Sequence, residues 1–358
     1  MVPVLKRNVS CVTKELAARL ILAALLMILW SCGDDNSSEP ILVGYSRGDH
    51  YALVVYSSAG IGDGGFEDNI YTGFVASADS LGYVLENLNP LDMNSAEEVI
   101  SRFFSESKDS PYKKRLLVLA ASEYLKLLKK HSEWKQNEKN EILLLDSSPD
   151  SLDIYTRDIS LYGASYMAGA AVAKKGLKNV ELVGANSKSN AVNMAISGFR
   201  DGYKSSGGSN ADSLHALYLG DEENEGFDVD ETYYLSHSYA QENVDFVFPV
   251  IGGSNAGLFR YLRENPDENL FLTCGMDTDQ QHLSGKIAFS IVKRMDILVK
   301  DFMRDWAEDE DLPRKFLGTL ETGLVDIAVA KNYSSWSDEF EKVRSSAVKA
   351  EKKFLEGK

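Results

Sequence analysis

Short apolar runs alternate with segments of helical periodicity along the chain from Tyr51 onward. Short runs rich in Val, Leu and Phe are typical of buried strands. The predicted strands cover residues 51–56, 116–120, 142–145, 180–184, 216–219, 246–250 and 270–273, with further strands near 316–318 and 324–328. Between them, apolar residues recur every three or four positions, as over about 69–81, and the longest pattern, from Ala288 to Trp306, predicts one helix. Alternating strands and helices predict an α/β fold with doubly wound parallel sheets.

Residues 1–31 have the pattern of a signal peptide. Basic residues precede an uncharged apolar run over residues 20–30. A helix of this length is too short to span a bilayer but suits the apolar region of a signal peptide. Ser31 and Cys32, with Leu29 ahead of them, resemble the lipobox of bacterial lipoproteins. We therefore expect cleavage before Cys32 and a lipid on its thiol, which would attach the protein to a membrane.

An uncleaved N-terminal anchor is the alternative interpretation, and both place the domain outside the cytoplasm, in the cell envelope. Residues 32–49 begin with a polar stretch and are predicted to be a flexible tether. Cys11 lies in the signal peptide and Cys32 carries lipid, so no intramolecular disulfide is possible. The third cysteine, Cys274, lies in an apolar run and is expected to be buried and unreactive.

Length and charge restrict the class of partner. A chain of 358 residues corresponds to about two domains. The formal net charge is −16, and removing residues 1–31, whose formal charge is +3, leaves −19. A field of this sign argues against nucleic-acid polymers as partners but not against a neutral small molecule. The five histidines show no metal-ligand spacing, so no metal and no cofactor is expected.

Two further segments have distinctive compositions. Residues 161–173 are rich in Gly and Ala, which would let a neighbouring element pack very close. Residues 334–358 are highly charged and are predicted to form a surface helix that frays into a tail.

The glycine-rich stretch over residues 60–69 follows the first strand of this alternation and opens a helix. The carboxyl ends of parallel strands face the ligand crevice in doubly wound sheets, and glycines let a loop backbone approach a ligand. Asp63 could accept protons from ligand hydroxyls, and Phe66 could stack on a ring. The alternative is a plain strand-to-helix turn in which Asp68 caps the helix and Phe66 lies in the core.

This stretch, with Gly73 and Phe74 in its helix, resembles the opening signature of the basic membrane protein family. The family comprises bacterial substrate-binding lipoproteins, including purine-nucleoside receptors, with the type I periplasmic-binding fold. The resemblance continues in order at residues 166–169, 182–184, 198–200, 245–248, 252–253, 275–280 and 290–293. It covers roughly residues 51–330.

The resemblance implies two α/β lobes, joined by about three hinge strands, that close on a ligand between them. The N-terminal lobe is predicted to comprise residues 50–155 with 278–312, and the C-terminal lobe 156–277 with 313–333. The implied ligand-binding residues are Ser57, Asp63, Phe66, Gly252, Gly253, Asp277 and Lys293.

Each implied role has a plainer alternative. Asp277, at a strand end, could bind two vicinal hydroxyls of a sugar or could bond its own turn backbone. Lys293 lies off the apolar stripe of its predicted helix and could be a solvated surface lysine. Asp146 and Glu123 also follow strand ends and are further candidates.

The chain departs from the family pattern near the expected site. Family nucleoside binders usually carry Asp or Asn where Ser57 and Ser58 stand, and Asn where Glu67 stands. An aromatic residue, the expected second wall of a base sandwich, is absent near Gly220, where Asp221 and Glu222 follow instead.

The expected function is capture of a small polar, nucleoside-like ligand for an ABC-type permease. The alternative is a binding module of the same fold, such as a sensor or another surface lipoprotein, with a changed or lost ligand. No enzyme is expected. Ser46 lies in a G-x-S-x-G pattern, but this motif works on a strand-to-helix elbow, and here it lies in the tether.

Overall fold

A computed structural model describes residues 41–357 except 44–47, 58–59, 63, 136, 150, 210, 223–224, 267–269 and 309. The predictions for Cys32, Ser46 and Asp63 fall outside the described residues.

The described chain alternates strands and helices, as predicted. The strands are β1 Ile41–Val43, β2 His50–Val55, β3 Val84–Leu88, β4 Lys114–Leu119, β5 Asn140–Leu145, β6 Tyr155–Ile159, β7 Val180–Asn186, β8 Ala216–Gly220, β9 Phe246–Val250, β10 Leu272–Asp277, β11 Ile287–Lys293, β12 Lys315–Gly318 and β13 Val325–Val329. The helices are α1 Phe66–Leu81, α2 Met93–Ser105, α3 Leu125–Lys130, α4 Tyr162–Lys174, α5 Asn190–Ser205, α6 Val229–Gln241, α7 Asn255–Glu264, α8 Met295–Ala307 and α9 Ser337–Glu356.

The strands form two sheets. The first sheet has the order β1-β3-β2-β4-β5-β6-β12, and the second has the order β13-β11-β10-β9-β7-β8. Only the edge strands β1 and β13 pair antiparallel among the described strands. The predicted α/β class with doubly wound parallel sheets is confirmed.

Central strands are buried on both faces, which explains why their sequences are continuous apolar runs. In β4, Leu116 and Val118 belong to the apolar core that contains Phe74 of α1. Leu117 and Leu119 point to the other core, which contains helix α2. Side chains alternate between the faces of a strand, so both faces need apolar residues.

The pattern from Ala288 to Trp306 is not one helix. Its first part is strand β11, and helix α8 begins only at Met295. All residues of β11 except Val292 are buried, because neighbouring strands flank it and helices cover it. A short apolar run of this kind satisfies the helical and the strand period equally well, so its pattern alone could not distinguish them.

The sheets also correct the predicted lobe boundaries. β6 and β12 were predicted in the C-terminal lobe but belong to the first sheet, and β11 was predicted in the N-terminal lobe but belongs to the second. The chain therefore changes sheets after β6, β11 and β12. These changes fall at strand ends, where no shift in composition marks them.

Backbone hydrogen bonds link the segments that cross between the two sheets. The amide of Ser160, after β6, donates to the carbonyl of Gly318 at 2.8 Å. The amide of Arg294, after β11, donates to the carbonyl of Leu324 at 2.8 Å. Within the described residues, three segments thus cross between the sheets. That these segments act as a hinge stays a prediction.

The small residues of α4 allow α5 to pack against it at very short range. A Cβ atom at Gly169 of α4 would lie 2.0 Å from the carbonyl oxygen of Phe199, and one at Gly202 of α5 would lie 1.9 Å from that of Tyr166. No side chain larger than hydrogen fits at either position, so the predicted close packing is confirmed.

The C-terminal segment is a docked helix rather than a fraying tail. Helix α9 extends to Glu356, and Glu351 is only 2% exposed. Its carboxylate accepts hydrogen bonds from the amides of Gly163 at 3.1 Å and Leu320 at 3.0 Å. One acidic side chain therefore joins α9 to the start of α4 and to the crossing after β12.

Cys274 is fully buried, as predicted, and burial raises the pKa of its thiol. No helix among the described residues is both long and apolar enough to cross a membrane.

We expect Glu351→Ala to lower the free energy of unfolding by about 1–3 kcal/mol for each amide left unpaired. Urea unfolding followed by circular dichroism measures this loss. Glu356→Ala, an exposed substitution on the same helix, serves as the control and should change stability by less than about 0.5 kcal/mol. Equal stabilities for the two variants would show that the buried carboxylate does not hold α9 in place.

Candidate ligand-binding site

A cavity of about 240 Å³ lies where the carboxyl ends of strands from both sheets meet. From the first sheet, residues after β2, β4 and β5 line it, together with the start of α1. From the second sheet, the ends of β7, β9, β10 and β11 line it. Ligands of open α/β sheets bind at this edge, so the cavity is the candidate site.

Lys293 lies in this cavity and joins the two sheets. Its ammonium is 2.6 Å from Oδ1 of Asp146, and the exposed fractions of the two side chains are 3% and 19%. The same nitrogen lies 4.4 Å from the centre of the Phe66 ring, a cation–π distance. The interpretation of Lys293 as a solvated surface lysine is therefore wrong. The sequence pattern places Lys293 on a helix because the buried strand β11 also satisfies helical spacing.

The charge of Lys293 is set by its surroundings. Burial by itself would lower the pKa of this ammonium. Three carboxylates outweigh burial and raise that pKa above its ordinary value, namely those of Asp146, Asp277 and Asp158. Lys293 is therefore a buried cation that stays protonated at neutral pH.

The two strand-end aspartates share an unusual backbone conformation. Asp146 and Asp277 have φ values of 56° and 66°, in the left-handed region that Asp tolerates better than most residues. Asp146 follows β5 of the first sheet, Asp277 ends β10 of the second, and both line the cavity. Carboxylates from opposite sheets thus flank one ammonium.

The glycine-rich loop before α1 is held by Asp68. Its carboxylate accepts hydrogen bonds from the amides of Gly62 at 2.9 Å and Gly64 at 2.8 Å. Asp68 therefore fixes the loop, and the N-cap position of α1 is occupied by Gly65 rather than by Asp68. From the second sheet, the Thr278 hydroxyl donates to the carbonyl of Gly64 at 2.7 Å and ties the loop across the cleft.

Ser57 lines the cavity next to a residue that was not assigned a role. Its hydroxyl donates to Oε1 of Glu67, and Glu67 also lines the cavity while 9% exposed. Ser57 and Glu67 both depart from the family pattern, and the structure couples them. The two departures from the family pattern are therefore in direct contact.

Phe66 and the glycine pair also line the cavity. Phe66, the first residue of α1, is partly buried and packs against the core while it lines the cavity, so it lies at the edge of the core rather than within it. Gly252 and Gly253 form a 3₁₀ turn after β9 and line the opposite side.

Phe227 lines the cavity and was missed in the sequence. A Cβ at Gly252 would lie 3.2 Å from Cε1 of its ring, so the ring rests on the glycine turn. The side chain is 51% exposed, which is unusual for Phe. Gly226 places it, because its φ of 82° lets the chain pass against the carbonyl of Ala185. The feature of the sequence that could have revealed Phe227 is an aromatic residue within an acidic loop.

The cavity carries more negative than positive charge. Among the described residues that line it, one lysine, Lys293, faces four acidic side chains, those of Glu67, Glu123, Asp146 and Asp277. Such a lining favours ligands that donate hydrogen bonds and opposes phosphates. No group of three or more His, Cys, Asp or Glu side chains suited to a metal occurs in the described part of the chain.

The family model of Bmp, described as ABC transporter substrate-binding protein PnrA-like, matches residues 51–355. This match covers most of the chain. The protein belongs to this family. The Bmp family consists of substrate-binding proteins of ABC transporters, and the resemblance noted from the motifs is thereby confirmed. No curated protein matches this Bmp family member.

Solved structures share the fold at low sequence identity. A solute-binding protein of an ABC transporter system from Aeropyrum pernix K1 has a TM-score of 0.65 at 18% identity, over 85% of this chain and 86% of its own. A transcriptional activator of the comK gene from Bacillus halodurans has 0.64 at 16%, over 83% and 96%. A solute-binding protein from Burkholderia graminis C4D1M, solved with D-arabinose, has 0.59 at 14%, over 79% and 96%.

Replacing Lys293 by Met should lower the free energy of unfolding by about 3–5 kcal/mol, because it removes the buried cation that pairs with the partly buried carboxylate of Asp146. Adding Asp146→Asn should restore part of that loss. Since the pKa of Lys293 is raised, its stabilisation is complete below the ordinary value of 10.5 and is lost only as pH rises through the higher folded-state value.

A double-mutant cycle by urea unfolding at neutral pH measures this coupling. Lys300→Met on the exposed face of α8 is the control for loss of one positive charge. Simple additivity of Lys293→Met and Asp146→Asn would mean that the two groups do not interact.

Proposed function

We propose that this Bmp family member captures a nucleoside between its two sheets and passes it to the permease of an ABC transporter. The observation that carries the proposal is the pair of aromatic rings, Phe66 and Phe227, that line the same cavity from opposite sheets. Flat ring systems stack on aromatic side chains, and each stacked base contributes about 1–3 kcal/mol.

The polar groups suit the sugar part of such a ligand. Asp277 lies at a strand end in the cavity, and a carboxylate can accept hydrogen bonds from two vicinal hydroxyls through its two oxygens. The negative lining disfavours a phosphate, so a nucleoside fits better than a nucleotide. Phe227 takes the place of the aromatic residue expected near Gly220.

Delivery to a permease follows from family membership, and the lipid anchor from the sequence before Cys32. Both are part of the proposal. A protein held at the membrane through Cys32 would release its ligand close to the permease, in the cell envelope.

Mass spectrometry of the small molecules released when the purified protein is denatured can identify a bound ligand without a preselected panel of compounds. Calorimetry with adenosine, guanosine, inosine, AMP and D-arabinose then measures affinity. We expect a nucleoside to bind and AMP to bind at least tenfold more weakly. A ligand at 100 times its Kd should also stabilise the protein by about 2.7 kcal/mol.

Site variants connect binding to this cavity. Phe227→Ala and Asp277→Asn should each weaken nucleoside binding by about tenfold or more. Tyr234→Ala, which removes an exposed aromatic ring on α6 outside the cavity, should leave affinity unchanged. Binding of D-arabinose alone would replace the nucleoside by a sugar. If no compound binds, the role of a sensor or another surface lipoprotein with a changed ligand gains support.

Cys32→Ser should move the protein from the membrane fraction to the aqueous fraction, because no other cysteine follows the apolar run closely. Detergent phase partitioning and mass spectrometry of the N-terminal peptide report the anchor. Cys11→Ser, within the signal peptide, is the control and should stay lipidated. An N-terminus that remains uncut in both variants would favour the uncleaved anchor.

A further inference from the structure

Three side-chain amides line the cavity among the described residues, those of Asn186, Gln280 and Asn255. A side-chain amide carries one carbonyl acceptor and two N–H donors. An amide that is not engaged by the protein is available to a ligand, so the hydrogen bonds of these three residues distinguish their roles.

Two of the three amides are used to shape loops. The carbonyl of Asn186 accepts from the amide of Ser189 at 2.8 Å, and its Nδ2 donates to the carbonyl of Glu225 at 3.3 Å. The carbonyl of Gln280 accepts from the amide of Met276 at 2.9 Å. These residues set the ends of β7 and β10.

Asn255 differs from both. Its side chain is 2% exposed, and neither its oxygen nor its nitrogen has a hydrogen-bond partner. Of the described residues that line the cavity, it alone has a buried side-chain polar atom without a partner. A buried polar group in this condition destabilises a fold, so its presence here points to a partner outside the chain.

Asn255 lies next to the aromatic part of the cavity. Asn255 is the first residue of α7 and directly follows the glycine turn on which the Phe227 ring rests. Phe259, one turn further along α7, lines the cavity as well. Asn255 therefore belongs to the part of the cavity wall that also carries Phe227 and Phe259.

We infer that Asn255 reads the edge of the ligand ring through a pair of hydrogen bonds. The inference rests on the proposed function and narrows it to bases that carry a donor and an acceptor side by side. The amino group and ring nitrogen of adenine form such an edge, and so do the N–H and carbonyl of hypoxanthine and guanine. Asn makes this two-point contact with adenine in nucleic-acid recognition.

The amide can rotate by half a turn, so it can pair with either order of donor and acceptor. Asn255 therefore selects purines that carry a substituent at position 6, rather than one particular base. A purine without a substituent at position 6 has no neighbouring donor and cannot complete the pair. A sugar hydroxyl, which is both donor and acceptor, could also meet the amide, and the test separates this case.

Calorimetry with adenosine, inosine and purine riboside tests the inference, because the three share the same ring skeleton and sugar. The wild-type protein should bind adenosine or inosine about 10- to 100-fold more tightly than purine riboside. Asn255→Leu should bind all three with similar affinity. Asn265→Leu, an exposed substitution at the other end of α7, should keep the wild-type preference.

Stability without ligand gives a second readout. Because Asn255→Leu replaces an unpaired buried amide by an apolar side chain of similar size, it should not lower the melting temperature. If this variant fails to fold, Asn255→Ala replaces it, since it removes both the donor and the acceptor without adding a charge and should also lose the preference.

The outcomes are distinct. If wild type binds no nucleoside, the proposed function is wrong, and the inference falls with it. If nucleosides bind but Asn255→Leu weakens all three equally, or leaves the preference intact, only the inference is overturned. If D-arabinose binds and its binding depends on Asn255, the amide bonds a sugar hydroxyl. This result would also overturn the inference that Asn255 bonds the edge of a base.

Discussion

The buried ammonium of Lys293 is the interaction on which the cleft depends. Lys293 ends strand β11 of the second sheet, whereas Asp146 directly follows strand β5 of the first. Their contact therefore crosses the space between the sheets. Charges removed from water are tolerated only when they are closely paired. The pair therefore favours the arrangement in which the strand ends of both sheets face each other, and it places Phe66 against the same ammonium.

Around this ion pair, the polar side chains divide into two groups. Some hold the backbone in place, as Asp68 does for the glycine loop and Asn186 does for the end of β7. Others face the cavity, as Asp277 and Asn255 do. Rigid support for a few exposed functional groups is the usual organisation of a binding site, because a supported group loses less entropy when a ligand binds.

The sequence predicts the fold class well because central parallel strands must be apolar on both faces, as in β4. It fails where one pattern satisfies two structures. The buried strand β11 has the spacing of a helix, and this ambiguity misplaced Lys293. The lobe boundaries failed for a related reason, since β6 and β12 join a sheet through pairing over a long separation, which leaves no local mark.

The sequence predicts only part of the candidate site, and the reason differs from that for the fold. Family motifs led to Phe66, Gly252 and Asp277, but Phe227 lies outside any motif and is recognised only by its contact with the glycine turn. The side-chain amide of Asn255 has no hydrogen-bond partner because of how its neighbours are arranged in three dimensions. The sequence alone does not contain this information.

The order of strands has a consequence for how the chain matures. The first sheet is completed by β12, which lies more than 150 residues after its partner β6, and β13 completes the second sheet still later. Each sheet therefore gains one of its edge strands only after almost the whole polypeptide has been made. Pairing over such long separations makes folding slow. The slowest pairings in this chain are therefore expected to be those that add β12 and β13 to their sheets.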